Sequence, residues 1–458
     1  MPDKKKLKIA FIGSGSGFCV ATINDILLDD RLDKIHIDLY LMDVLEEAVD
    51  YSETYANKVI KKYNKNINVI GTTSTEKALD GADFVITAIE TGRFYYWTMD
   101  YHIPRRYGST QIFGENGGPG GMFHFLRNIK PMHEIALAME RLCPNALLIN
   151  YTNPEAKLVD AIGRLTKITA VGLCHGIGEG QYMISQLLGI PVEEFDVEAC
   201  GLNHFGWIQK ITCKKTGEDL YPLLKKRERE ANWLADWDAI ALARILLRTY
   251  GLLAYPVANH VGEYIRWADA FIAQPNMQFF HDPVSETPWE NKKIPTFVYN
   301  INHYHDAPFF PEKEGTEKEM MDERFSVKPK LEFSGEYGVP IISAMTFDEK
   351  ADLLVVNKKN KGKIPGLPDD MAVELPATVD GKGIHTKQME PLPDAITSMI
   401  ATQGVIHKLI TEAYIEQSRN KLLQATLLDP TSSSYNSTVA MINELCERQK
   451  DILPPMFW

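Results

Sequence analysis

Residues 7–18 have the sequence LKIAFIGSGSGF, in which an apolar run leads directly into a turn containing three glycines. Residues 19–28 have helical spacing, so the segment predicts a strand, a tight turn and a helix in succession. The free backbone N–H groups of such a helix N-terminus can bind the pyrophosphate of a dinucleotide. The predicted contacts are Gly13, Ser14, Gly15, Ser16 and Gly17. The alternative is a turn that only reverses the chain.

An acidic residue closes the next strand-like run, residues 35–43, which ends in Asp43. In dinucleotide-binding folds such a residue contacts a ribose hydroxyl. The fingerprint is imperfect, because Phe18 stands where the third glycine usually falls, and Asp43 lies 30 residues after Gly13 instead of about 20. Strand, turn, helix and acidic strand end together favour cofactor binding over a plain turn.

Three further apolar runs follow, at residues 83–89, 146–151 and 168–174, and each is joined to the next by a segment long enough for a crossover helix. Strands that alternate with helices in this way predict an α/β protein with a parallel sheet. The expected N-terminal fold is therefore a doubly wound, Rossmann-like sheet similar to that of lactate and malate dehydrogenases.

The pattern changes after about residue 200, where short strands over 201–212 precede helices near 223–237 and 240–250. A second domain is expected to start here. We predict a dinucleotide-binding domain over residues 1–200 and a C-terminal α+β domain over residues 201–458 for substrate binding and oligomerisation.

The last part of the chain combines a region without periodicity and two amphipathic segments. Residues 281–335 are rich in Pro, Glu and Lys, which predicts long surface loops. Residues 392–428 and 434–452 have the spacing of amphipathic helices. The sequence contains no internal repeat.

Composition and charge exclude several classes of protein. The 458 residues are 45% hydrophobic and 24% charged, which is typical of a folded globular protein. The net charge of −12 disfavours broad contact with nucleic acid or an anionic membrane. Six dispersed cysteines and the absence of a signal-like start predict a cytoplasmic protein with reduced thiols. No apolar stretch is long enough to cross a bilayer.

Polar residues follow three of the predicted strands. Asn153 comes after the run at 146–151, where ligands bind in open parallel sheets, although it can equally cap the following helix. Cys174 ends the next strand, and His204 lies 30 residues later. A thiolate and an imidazole from neighbouring strand ends can hold a divalent metal ion. A lone Cys or His is more often a buried structural residue.

A glycine-dense loop occupies residues 114–121, with the sequence GENGGPGG. Backbone with so little side chain can approach a ligand closely. Five glycines in eight positions exceed what a surface turn requires, so an active-site loop is favoured over a mobile turn. Glu115 and Asn116 are its predicted substrate contacts.

An ordered set of motifs resembles the family 4 glycoside hydrolases, glycosidases that need NAD and a divalent metal. No single motif is decisive, but the resemblance runs over nearly the whole chain. The motifs are the turn at 12–17, Gly117–Gly121 with Leu126-Arg127, Asn150–Pro154, Cys174-His175-Gly176, Gly201–His204 and Val379–His385.

The resemblance implies roles for several residues. Cys174 and His204 match the family's metal ligands, with Asn153 near the sugar hydroxyls and Asp43 near the adenosine ribose. Manganese (Mn2+) is the metal such enzymes usually take, and since a thiolate is a soft ligand, cobalt, nickel or iron stay open. The implied reaction is oxidation at sugar C3 by NAD, metal-assisted deprotonation at C2, elimination at C1, water addition and re-reduction.

The residue after the metal cysteine implies the substrate class and the acid. Cys-Asp members resemble 6-phospho-α-glucosidases, whereas Cys174-His175-Gly176 resembles the α-galacturonidases, which makes His175 the expected acid. The catalytic base stays open between Glu263, Tyr264 and a water. Related α-glucosidases place an Asp shortly before the family's His-x-x-Glu stretch, and this chain has no Asp there. Glu263 can equally be a structural carboxylate.

A uronate substrate requires a cation, ideally a bidentate arginine. Arg93 follows the strand at 83–89 and is the predicted contact, with Arg105, Arg106 and Arg266 as further candidates. Each arginine is individually more typical of a solvated surface.

The expected function is α-galacturonidase activity in a homodimer or homotetramer. The alternatives within the family are α-glucuronidase, α-galactosidase and α-glucosidase. Outside it, an NAD-dependent 2-hydroxy acid dehydrogenase would produce net NADH. A dinucleotide-sensing binding protein would have no need of Cys174 or His204.

Overall fold

A single sheet of 12 strands organises the computed structural model, which describes residues 6–231, 240–271 and 317–458. The order along the sheet is β3-β2-β1-β4-β5-β6-β10-β11-β7-β8-β9, and β12 pairs with β11. The strands are β1 Lys6–Ile12, β2 His36–Met42, β3 Ile67–Thr72, β4 Phe84–Thr87, β5 Leu147–Asn150, β6 Ala170–Gly172, β7 Phe195–Leu202, β8 Phe205–Cys213, β9 Leu253–Tyr255, β10 Ala351–Lys359, β11 Ala372–Asp380 and β12 Gly383–Thr386.

Helices cover the sheet and link its strands. In the described ranges they are α1 Gly17–Leu28, α2 Glu46–Tyr63, α3 Thr75–Leu79, α4 Arg93–Arg106, α5 Gly118–Leu142, α6 Glu155–Leu165, α7 Gly176–Leu188, α8 Tyr221–Glu230, α9 Ala241–Tyr250, α10 Ala258–Val261, α11 Glu317–Arg324, α12 Gly338–Phe347, α13 Asp394–Glu416, α14 Arg419–Leu428 and α15 Tyr435–Arg448. No described helix is both long and apolar enough to cross a membrane. All six cysteines are free.

The predicted α/β fold is confirmed. Strands β3, β2, β1, β4, β5 and β6 pair in parallel, and the remaining pairings are antiparallel. The two halves share one sheet, because β10 pairs with β6 at Asn357 and Gly172. The division at residue 200 stays a prediction.

Both faces of the central parallel strands β1, β2, β4 and β5 are largely buried, as their near-continuous apolar runs require, whereas the edge strand β3 is only partly covered. In β1, Ala10 and Ile12 join the core on one face, whereas Ile9 and Phe11 join the core on the other. Helix α5 packs its apolar side on the first of these cores. The carboxyl ends of β1, β4, β5 and β6 therefore lie at one edge, between two rigid layers.

The structure corrects two boundaries and leaves a third untested. Helix α11 lies inside the region predicted as loops over 281–335, of which residues 281–316 are outside the described ranges. The helix predicted over 392–428 is two helices, because Gln417 adopts φ 52° and Ser418 caps α14. The charged helix predicted near 223–237 is described only as α8, since residues 232–239 are also outside.

A buried ion pair ties the glycine-loop helix α5 to α4 and to the end of the chain. Arg127 Nη2 lies 2.6 Å from Asp100 Oδ2, and both side chains are at most 1% exposed. Gln449 accepts from Arg127 at 2.9 Å and donates to Asp100 at 2.7 Å. Burial raises the pKa of Asp100, and the charge of Arg127 opposes that shift. The two groups therefore stabilise each other's charge in the core.

Replacing Arg127 should be far more costly than replacing an exposed arginine. We expect Arg127→Met to lower the free energy of unfolding by about 3–5 kcal/mol, because Asp100 keeps a buried charge without its partner. Arg141→Met is the control, since Arg141 and its partner Glu76 are both more than half exposed, and it should change stability by less than about 0.5 kcal/mol. Urea unfolding measures both, and equal losses in the two variants would contradict the assignment.

Candidate active site

The turn after β1 is fastened to the neighbouring strand end. The N–H groups of Gly13 and Ser14 donate to the Met42 carbonyl at 2.8 and 3.0 Å. Gly13 adopts φ +94°, and a Cβ there would lie 2.4 Å from the Ala88 carbonyl oxygen. Only glycine fits this close approach. The turn thus brings backbone without a side chain at Gly13 close to the N-terminus of α1, and Ser16 caps that helix.

Asp43 lies at this turn, where the sequence predicted it. One carboxylate oxygen accepts the Gly15 N–H at 2.9 Å and the other accepts the Leu45 N–H at 3.2 Å. Phe18, which replaces the usual third glycine, stacks on Tyr151 with ring centroids 4.6 Å apart. Its ring fills the space between α1 and the end of β5 that a glycine would leave for closer packing.

Asn153 is held at the end of β5 between the glycine loop and α5. Its backbone carbonyl accepts from the Asn128 side chain at 2.8 Å, and its own amide donates to Glu115 Oε1 at 3.4 Å. The sequence placed Asn153 and Glu115 in one site from separate motifs. The structure brings them into contact.

Glu263 holds the glycine loop, residues 114–121, by accepting hydrogen bonds from its backbone. Its carboxylate accepts the N–H groups of Glu115 at 2.6 Å and Asn116 at 2.9 Å, and it also accepts from the Gly117 N–H. Lys157 Nζ donates to the carbonyl of the same Asn116. Burial raises the pKa of Glu263 and lowers that of Lys157, in each case to about 8. Glu263 thus binds the N–H of Asn116 and Lys157 binds its carbonyl, so both peptide groups of Asn116 are engaged by buried side chains.

This arrangement bears on the choice of base. The Glu263 carboxylate is engaged by backbone donors, as a structural carboxylate would be. Tyr264 is buried, stacks on Phe205 at 5.2 Å, and has Lys157 Nζ 5.8 Å from its ring centroid. Burial raises the pKa of Tyr264 well above its usual range. The identity of the base stays a prediction.

Three ligand-type side chains converge beside the loop. One ligand atom from each of Glu115, His204 and His260 lies within 4.8 Å of the others. His204 occupies the β7–β8 turn at φ +63°, and its ring lies 4.1 Å from that of His260 in α10. His260 Nδ1 is buried without a hydrogen-bond partner among the described residues. Two imidazoles and a carboxylate form a donor set that first-row divalent metals accept.

Sequence reasoning missed part of this cluster. His204 was predicted as a metal ligand, but Glu115 was assigned only to substrate, and His260 was given no role. The available signal for His260 is the sequence NHVGEY at residues 259–264, which resembles the family's His-x-x-Glu stretch.

Cys174 is not a member of the three-residue cluster but is linked to it through Asn203. Its sulfur accepts the Gly176 N–H at 3.4 Å and a hydrogen bond from the Asn203 side chain, which precedes His204. Burial and the charge of Glu374 raise the pKa of the Cys174 thiol. A nearby cation would be needed to hold it as a thiolate.

A buried carboxylate, Glu374 of β11, organises this side of the site. It accepts from Tyr255 Oη at 2.6 Å and from the amides of Asn203 and Asn357 at 3.4 Å. Burial raises the pKa of Glu374 to about 6. No sequence pattern predicts this residue, because its three partners come from β9, the β7–β8 turn and β10.

His175, the predicted acid, stands at the N-cap of α7 with its side chain 67% exposed. Its Nδ1 lies 3.2 Å from Glu336 Oε1, and this hydrogen bond raises the pKa of His175. Glu336 lies 161 residues away, just beyond the region predicted as loops, and no sequence pattern predicts the pair.

The four arginines predicted to contact a uronate have different surroundings. Arg93 begins α4 just beyond β4, but its side chain is outside the described part of the structure. Arg105 donates to the Gln111 carbonyl at 2.9 Å, and Arg106 pairs with Glu444 at 2.8 Å. Arg266 is exposed. Protein acceptors therefore engage two of the four candidates.

Two family models match consecutive parts of the chain. The model described as "Family 4 glycosyl hydrolase" matches residues 8–190, and "Family 4 glycosyl hydrolase C-terminal domain" matches residues 199–432. Together they cover most of the chain.

Similar proteins match along their full length. An alpha-glucosidase of Erwinia rhapontici is 30% identical over 97% of this chain and 98% of its own. An alpha-galacturonidase of Thermoanaerobacter italicus is 29% identical over 98% of this chain and 97% of its own. A 6-phospho-alpha-glucosidase from gut microorganisms, solved in complex with NAD and Mn2+, has a TM-score of 0.73 at 22% identity, covering 99% of this chain and 100% of that one.

Loosening the contact between Glu263 and the glycine loop should release the loop. Glu263→Gln puts an amide donor against backbone N–H groups, and Gly117→Ala puts a Cβ 2.6 Å from the Cβ of Glu263. We expect each change to cost about 2–3 kcal/mol of unfolding free energy and to speed amide hydrogen exchange over residues 114–121. The exposed Glu332→Gln is the matched control. Unchanged exchange in both loop variants would show that Glu263 does not hold the loop.

Proposed function

The chain belongs to family 4 of the glycosyl hydrolases, and from that premise we propose that it cleaves α-linked uronic acid glycosides with NAD and a divalent metal ion as cofactors. The observation that carries the proposal is the Glu115, His204 and His260 cluster in contact with Asn153. It lies at the sheet edge that also presents the Gly13 turn. A redox cofactor and a metal are thus expected on one side of one sheet.

The turn residues fit a dinucleotide. At Gly13 a side chain would collide with Ala88, and the N-terminus of α1 faces the same space with Ser16 as its cap. We assign the pyrophosphate to residues 13–17 and the adenosine ribose to Asp43. Asp43 would then exchange the hydrogen bond it accepts from the Gly15 N–H for one donated by a ribose hydroxyl.

The three-residue cluster fits a divalent cation. Glu115, His204 and His260 would hold it, and the side chain of Asn203, the residue before His204, donates to the Cys174 sulfur. This mixed donor set is compatible with manganese and also with cobalt, nickel or iron. When bound, NAD supplies a hydride acceptor at sugar C3, and the metal stabilises the negative charge that develops on the sugar oxygens.

The acid–base roles fall to residues around this centre. His175 Nδ1 faces Glu336, which leaves Nε2 to give a proton to the leaving-group oxygen. Glu336 orients the ring and is a positioning residue. Tyr264 or a water is the preferred base at C2, because the backbone N–H groups of the loop occupy the Glu263 carboxylate. Asn153 and Asn116 are assigned to the sugar hydroxyls.

The uronide assignment rests on the Cys174-His175-Gly176 motif and on the alpha-galacturonidases among the relatives, at 29% and 26% identity. We assign the C6 carboxylate to Arg93, which follows β4 at the same sheet edge. A charged handle remote from C1, C2 and C3 can hold the reacting carbons in line without touching them. Galacturonide is the preferred substrate, and the alpha-glucosidase relative at 30% identity makes a neutral glucoside the main competitor.

The setting of the enzyme belongs to the same proposal. We infer a cytoplasmic enzyme that assembles as a homodimer or homotetramer through its C-terminal half. The six free thiols are consistent with a reducing compartment.

Metal binding should depend on the cluster and not on the turn. We expect His204→Ala, His260→Ala, Glu115→Gln and Cys174→Ala each to weaken Mn2+ binding about tenfold or more, while NAD affinity stays within twofold. Calorimetric titration of the metal-free chain measures both. His385→Ala is the control, because His385 is half exposed and bonded to Asp380 outside the cluster.

Turnover provides the second part of that test. Hydrolysis of an aryl uronide should disappear after chelation and desalting and return only when NAD and metal are both added. Full activity with neither cofactor added nor retained would refute the redox mechanism.

Substrate choice should follow the C6 group. Aryl α-galacturonide should have the highest kcat/KM in a panel with α-glucuronide, α-galactoside, α-glucoside and 6-phospho-α-glucoside. Arg93→Gln should lower kcat/KM about 10–100-fold for the uronides, because it removes a charge-assisted hydrogen bond, and leave neutral substrates unchanged. If a neutral or phosphorylated sugar is turned over at least as well as both uronides, the substrate assignment is wrong.

A further inference from the structure

We propose that Arg324, at the end of α11, binds the diphosphate group of the dinucleotide across the Gly13 turn. The inference rests on the proposed NAD dependence and adds a contact from a remote part of the chain, 309 residues after Gly15. The dinucleotide would then lie between two elements, the turn on one side and α11 on the other.

The first argument is the position of α11. Arg324 Nη1 donates to the Gly15 carbonyl, and the Met321 methyl lies 3.9 Å from where a Cβ of Gly15 would be. Tyr51 of α2 donates to Asp322 at 2.7 Å. Phe325, buried next to Arg324, packs against the Tyr51 ring at 5.9 Å. The contacts of Asp322 and Phe325 with Tyr51 therefore hold α11 in place, and the Arg324 guanidinium lies over the centre of the turn.

The second argument is electrostatic. Within the described ranges, no carboxylate lies within 4 Å of the Arg324 guanidinium, whose acceptors are the Gly15 carbonyl and the Met321 sulfur. Burial lowers the pKa of Arg324. A half-buried cation next to a helix N-terminus places two positive potentials together, which is unfavourable unless an anion lies between them. Asp43 hydrogen-bonds to the turn and forms no ion pair with Arg324.

A diphosphate meets both requirements. It carries two negative charges, and the N-terminus of α1 is where a dinucleotide presents it. The planar guanidinium can donate two parallel hydrogen bonds to phosphate oxygens, which lysine cannot do. Arg324 thus completes the positive surroundings that the turn begins.

The test is calorimetric titration of the full chain with NAD, ADP-ribose, ADP and adenosine. Arg324→Met should weaken the three diphosphate ligands by a common factor of about 10–100 and leave adenosine within twofold. Arg324→Lys should lose less, since it keeps the charge. Arg141→Met, an exposed arginine away from the turn, should bind all ligands like the wild type. The ligand-free Tm should change little, because Arg324 makes no ion pair that folding depends on.

Several outcomes would overturn the assignment. Wild-type NAD affinity in Arg324→Met excludes a diphosphate contact. An equal loss for adenosine means that Arg324 only shapes the turn. A wild-type chain that binds neither NAD nor ADP-ribose overturns the proposed function as well, whereas binding by the wild type with no effect of the substitution overturns the arginine assignment alone.

Discussion

The site depends on one constraint: two buried ionisable side chains hold a single peptide segment by hydrogen bonds. Glu263 receives the N–H groups at the start of the glycine loop, and Lys157 donates to the carbonyl of Asn116. Either group, buried without its partner, would lower the stability of the folded state. The loop therefore has little freedom to adopt another conformation. Glu115 is consequently presented to His204 and His260 from a fixed backbone. Catalytic groups on loops gain precision when the scaffold determines the loop in this way.

The sheet explains why the other groups arrive at the same place. Parallel strands end at one edge, and β1, β5 and β6 deliver the Gly13 turn, Asn153 and Cys174 there. The antiparallel half adds His204 through the β7–β8 turn, held in register by Glu374 of β11. The turn proposed to bind the dinucleotide thus comes from the parallel strands, and His204 of the proposed metal cluster comes from the antiparallel ones.

Local patterns predicted the elements, and long-range contacts escaped them. The strand, turn and helix over residues 6–28 and the position of Asp43 follow from periodicity and glycine placement, which are properties of neighbouring residues. Glu336, Glu374 and Arg324 reach the site from more than 150 residues away, and nothing in their own surroundings marks them. Helix α11 was hidden for a related reason, because six of its eight residues are charged and the other two, both Met, form no apolar stripe to detect.

The order of strands also dictates an order of assembly. Strands β10 and β11 lie between β6 and β7, although they come about 150 residues later in the sequence. The hairpin of β7 and β8 can form locally, but it reaches the parallel strands only through β10 and β11. During synthesis, a ribosome must therefore deliver residues 351–380 before the β7–β8 turn can bring Asn203 to Cys174. The nascent chain can hold a nearly finished nucleotide fold for some time while the hydrolytic centre does not yet exist.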